Sequence, residues 1–78
     1  MKIPQGWGVC STGGGCTALS KYHGKDGCWF ITNINGFDVP AKASERCQLS
    51  FDYEQIQVLC FDCKTVSAAL SIVAKSFV

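Results

Sequence analysis

The chain has 78 residues, 47% of them hydrophobic and 17% charged, with a formal net charge of +1. That composition excludes a disordered chain, which needs low hydrophobicity and high charge, and the length admits one hydrophobic core, so residues 1–78 are expected to form a single domain. Its seven basic residues and six carboxylates are both dispersed, which leaves neither the basic patch that a duplex requires nor the dense acidic surface of a nucleic-acid mimic.

No apolar run approaches the roughly 18 residues that span a bilayer, so neither a membrane nor direct nucleic-acid binding is expected. Six cysteines stand at positions 10, 16, 28, 47, 60 and 63. The segment Met1 to Gly6 lacks the apolar stretch of about seven residues or more that a secretory signal carries. The expectation is therefore a cytoplasmic protein with reduced cysteines, in a fold that needs no disulfide.

Gly13-Gly14-Gly15 is too flexible for the interior of an element, and the alternation from Cys16 to His23 predicts a strand. Gly24-Lys25-Asp26-Gly27 supplies the positive-φ positions of a tight hairpin. Cys28 to Thr32, aromatic and β-branched, predicts a buried strand that ends at the hairpin signal Asn35-Gly36. Phe37-Asp38-Val39 is expected to return as a short strand stopped by Pro40. After a loop over Ala41 to Glu45, Arg46 to Tyr53 alternates, with Cys47, Leu49, Phe51 and Tyr53 on one face.

Glu54-Gln55 is the expected turn, although it lacks glycine, and Ile56 to Phe61 is the partner strand with Ile56, Val58 and Cys60 inward. In a regular ladder Tyr53 pairs with Ile56, Leu49 stands opposite Cys60, and Cys47 is diagonal to it. Diagonal neighbours lie roughly 7 to 8 Å apart, beyond disulfide range. Cys47 and Cys60 are thus expected to be reduced core residues.

The period then changes. Val66, Ala69, Leu70, Val73, Ala74 and Phe77 fall on one stripe of an α-helix, with Thr65 as N-cap and Lys75 suited to the C-terminal dipole. A helix of about 12 residues is marginal alone and must pack on a sheet. The fold class expected is α+β: an antiparallel sheet of four to five strands with one C-terminal α-helix packed on one face.

Cys60-Phe61-Asp62-Cys63 is a CxxC motif placed where a strand leads into a helix, the context of a reactive dithiol. It also invites a four-thiolate zinc site made of Cys10, Cys16, Cys60 and Cys63, although two CxxC knuckles would be the stronger signature. Buried apolar thiols are the plainer use of such cysteines. His23 could face Cys28 across the turn as a base for a thiolate, but no orienting carboxylate is specified. Gly13 to Thr17 lacks the lysine of a phosphate-binding loop and precedes a strand. No catalytic set and no cofactor are therefore expected, and the protein is read as no enzyme. The many aromatics outnumber what one side of a small sheet can bury, which makes Trp7, Tyr22, Trp29 and Tyr53 candidate partner-binding anchors, with ordinary core on two sides as the alternative.

The layout Gly13-Gly14-Gly15-Cys16-Thr17-Ala18-Leu19, then Trp29-Phe30-Ile31-Thr32-Asn33 with Asn35-Gly36 and Pro40, and a terminal aliphatic helix resembles small phage and mobile-element proteins of the anti-CRISPR kind. The resemblance implies a stoichiometric inhibitor that binds a host protein or a CRISPR effector complex through protein contacts. It carries no functional residue over to this chain. The rival expectation is a small zinc-stabilised or CxxC redox domain.

Overall fold

In a computed structural model describing residues 1–76, the chain forms five strands and one helix. The strands are β1 (Gly8–Gly13), β2 (Cys16–His23), β3 (Gly27–Asn33), β4 (Cys47–Tyr53) and β5 (Ile56–Cys63), and the helix is α1 (Val66–Lys75). All five strands lie in one antiparallel sheet in chain order, β1-β2-β3-β4-β5. The expected α+β sheet-and-helix architecture is what the chain adopts.

The strand before the glycines, β1, was not anticipated. It joins β2 through Gly13, Gly14 and Gly15, which have φ of 101°, 60° and 82°. Three successive positive φ values are accessible at little cost only to glycine, so the triplet is the hairpin connection itself. Conversely, Phe37 to Val39 forms no strand. The Phe37 carbonyl accepts from Thr17 N at 2.9 Å and the Asp38 carbonyl from Asn33 N at 2.7 Å. The segment therefore bridges the ends of β2 and β3 without extending a ladder.

One sheet face carries the core. Cross-strand rows Leu19–Ile31–Leu49–Phe61 and Trp29–Phe51–Leu59 run across it, and Val66 and Ala69 of α1 close over Leu19, Trp29, Ile31, Cys47, Leu49, Phe51 and Cys63. Thr65 caps the helix: its Oγ1 accepts from Ala68 N at 3.0 Å, which satisfies one of the first-turn amides. Leu70 and Val73 pack beside the core, but Ala74 is exposed, so the buried stripe is narrower than its period implied. Phe77 lies outside the described residues. No described helix is long and apolar enough to cross a membrane.

The β4–β5 hairpin departs most from the regular ladder. Tyr53 does pair with Ile56, across a turn in which Glu54 and Gln55 both occupy the left-handed region (φ 52° and 68°). The ladder then slips: Asp52 pairs with Gln57 but Phe51 pairs with Leu59, leaving Val58 as a one-residue bulge. Because side chains alternate with period two, one extra residue exchanges the faces of everything beyond it. Leu49 consequently faces Phe61, Cys60 pairs with Ser50, and Cys47 stands directly opposite Cys63. Cys60, expected in the core, is exposed, while Cys63 is buried.

Candidate binding surface

The face away from α1 is covered by no described element and is concave. A trough of about 910 Å³ runs along it, floored by the rows Ser20–Phe30–Ser50–Cys60 and Tyr22–Cys28–Asp52–Gln57. Small side chains flank Phe30, so the backbone is approachable and the aromatic ring is the largest apolar group on the floor. Asp26, Glu54 and Gln55 line the trough at the turn end, where the Asp26 carbonyl accepts from Glu54 N at 3.0 Å and ties the two hairpin turns together.

The trough adjoins β5, which ends the sheet and, among the described residues, pairs only with β4. Every residue of β5 except Cys63 is exposed, and Ile56, Val58, Leu59 and Phe61 are 66%, 53%, 41% and 42% accessible. Edge strands usually carry lysine, proline or other charge that discourages pairing. Here the strand carries only Asp62 as a charge, with Arg46 at 3.9 Å on the solvent-exposed surface, a pair that contributes little in high dielectric.

The four aromatic candidates separate. Tyr22 (79% exposed) and Tyr53 (50% exposed) are available to a partner. Trp7 is half-buried against the core. Trp29 is 1% exposed, and its ring lies 4.7 Å from that of Phe51. Trp29 is a core residue and is withdrawn as an anchor. Apolar anchors that the sequence pattern does not reveal are on β5: Val58, Leu59 and Phe61 follow a regular alternation in the sequence that the bulge interrupts.

The cysteine constellations also separate. Cys10 on β1 and Cys16 on β2 lie toward one side of the sheet, whereas Cys60 and Cys63 are on β5 at the opposite edge. Adjacent strands are about 4.8 Å apart, so the four thiolates do not converge on one ion, and no group of three or more potential metal ligands occurs among the described residues. The CxxC motif closes β5 just before α1 begins at Val66, as expected, but its residues belong to the strand, and residues i and i+3 of a strand point to opposite faces. One thiol is in the trough and the other in the core. His23 pairs with Gly27, and Cys28 with Tyr22, so the imidazole and the thiol are on opposite faces. His23 instead meets Phe51 edge-on, with ring centroids 6.3 Å apart.

Burial, and then the nearby Cys10, push the Cys28 thiol above its ordinary value against a lowering hydrogen bond from the Lys21 backbone. It is a neutral thiol near pH 7, not an activated nucleophile. The surface can bind by shape and apolar contact. No protein-family model, curated protein or solved structure matches the chain.

Proposed function

We propose that the protein is a small phage-type binding module that engages a host protein or nucleoprotein effector complex and blocks it, in the manner of an anti-CRISPR inhibitor. The observation that carries this reading is the β5 edge, where exposed Ile56, Val58, Leu59 and Phe61 flank an unpaired backbone ladder beside an open trough. Strand addition to such an edge supplies main-chain hydrogen bonds, and side-chain pockets beside it supply selectivity. Tyr22 on the trough face and Tyr53 beside the Glu54-Gln55 turn on the opposite face serve as flanking anchors, since exposed tyrosine presents a large amphipathic contact. Two non-glycine residues in the left-handed region at Glu54-Gln55 support the same location, because local strain of this kind concentrates at functional positions. The action is cytoplasmic, requires no cofactor and involves protein contacts, not nucleic acid.

Capture of partners from CRISPR-bearing bacteria, identified by mass spectrometry and paired with phage plaque assays, tests the proposal. A stoichiometric effector subunit is expected with wild type and is lost with Val58→Lys, which places a charge on the exposed edge without touching the core. Recovery of no stoichiometric partner together with no protection of phage would sink it. The rival zinc domain has its own readout. Elemental analysis of protein purified without added metal should find well under one zinc per chain, and near-stoichiometric zinc whose removal unfolds the protein would install the rival.

A further inference from the structure

The bulge at Val58 has brought together two of the six thiols. Cys47 and Cys63 are direct partners across the β4–β5 ladder, both on the core side, with 0% and 5% exposure. Directly opposed residues of an antiparallel pair have Cα atoms about 4.5 or 5.5 Å apart, depending on whether the pair is hydrogen-bonded. Both values fall inside the roughly 4.4 to 6.8 Å that a disulfide accepts. No other two cysteines are partners: Cys10 faces Ala18, Cys16 faces Gly13, Cys28 lies between Tyr22 and Asp52, and Cys60 faces Ser50.

The surroundings tolerate the bond. In the reduced form the Cys47 thiol donates to the Thr65 carbonyl at 3.6 Å. That carbonyl also accepts from Ala69 N at 3.2 Å, so losing the thiol proton leaves no buried acceptor unsatisfied. The two thiols also lie near enough for each to act on the other's ionisation, Cys63 pushing Cys47 up and Cys47 drawing Cys63 down.

We propose that Cys47 and Cys63 form a cross-strand disulfide when the protein meets an oxidising disulfide such as oxidised glutathione, locking the edge strand and the helix start to the sheet. Cys63, the more accessible of the two, loses its proton to solvent. Its thiolate attacks one sulfur of the small disulfide, forming a mixed disulfide and releasing one glutathione thiolate. Cys47, likewise deprotonated, attacks the Cys63 sulfur and expels the second glutathione thiolate. Two protein thiols are oxidised, one glutathione disulfide is reduced, and the two protons end on the two glutathiones. Burial makes the reaction slow in the native state, since each thiolate must first form, so brief local opening or refolding in the oxidant is its route.

The protein is refolded in a glutathione redox buffer, and intact mass, thiol count and peptide mapping are read. The expected result is loss of two hydrogens, a fall from six free thiols to four, a single crosslinked peptide joining Cys47 to Cys63, and a melting midpoint raised by roughly 10 °C that reductant reverses. The variant Cys10→Ser, Cys16→Ser, Cys28→Ser, Cys60→Ser, which leaves the core intact, should lose the same two hydrogens. Crosslinks through any other cysteine, or unchanged mass with Cys47 and Cys63 both alkylated after denaturation, would overturn the proposal.

Discussion

At Gly27 a Cβ atom would stand 2.7 Å from the His23 carbonyl oxygen and 2.7 Å from Phe51 Cζ. The first neighbour is backbone, and the second is a ring already packed on Trp29, so neither gives way freely. Gly27→Ala is expected to cost about 1 to 3 kcal/mol, the usual penalty of overpacking, read as a lower urea midpoint. The opposite sign is expected at the β4–β5 turn. Replacing Glu54-Gln55 with Asn-Gly puts residues that accept the left-handed region where φ demands them, and should raise stability by about 1 kcal/mol. The core thiols give stability a pH dependence. Burial, reinforced by Cys63, raises Cys47 from 9.0 to about 11, and Cys63 is raised too, by burial and then Asp62. A folded-state pKa above the unfolded value means that the unfolded chain releases its protons first, so this contribution is whole below about pH 9 and is lost as pH climbs toward about 11. Urea midpoints of reduced protein should be flat near neutrality and fall across that alkaline window. A midpoint unchanged up to pH 11 would contradict the buried, protonated pair.

Among the elements, β2, β3, β4 and α1 were legible because their side chains follow one period from end to end, and the Thr65 cap was legible because its hydroxyl precedes the apolar stripe. The second half of β5 was not. Its bulge carries no glycine, and Ile56-Gln57-Val58-Leu59-Cys60 reads equally well as an uninterrupted strand. The consequence reached the candidate site: Cys60 moved to the trough, Cys63 to the core, and Leu59 and Phe61 to the edge of the apolar face. Strand β1 was obscured for a different reason, since Gly8 and Gly13 bound it and none of its residues enters the buried core. The bulge itself makes a sharp prediction. Deleting Val58 would leave Phe51 opposite Leu59 and Cys47 opposite Cys63 in a regular ladder, so the protein should fold with Cys63 still protected from alkylation. Deleting Asp62 instead turns Cys63 toward the open face, and rapid alkylation of that thiol is expected.

For the molecule as a whole, stability is concentrated where α1 covers the sheet. Strands β3 and β4 are interior strands with α1 packed on their core-facing side, while β1 and β5 are edges, of which only β5 also meets the helix among the described residues. Amide hydrogen exchange should therefore be slowest in Trp29, Ile31, Leu49 and Phe51 and fastest in Gly8 to Gly13. Uniform protection across all five strands would refute this gradient. The chain-order sheet has a kinetic consequence as well. Each ladder joins strands that are neighbours in sequence, so each hairpin can close over a short loop without waiting for a distant segment, and the low contact order favours refolding on the order of milliseconds. The helix follows all five strands in the chain, and its docking closes over Trp29, Ile31 and Leu49. A nascent chain can thus zip its hairpins early while its commitment to the native state waits for α1.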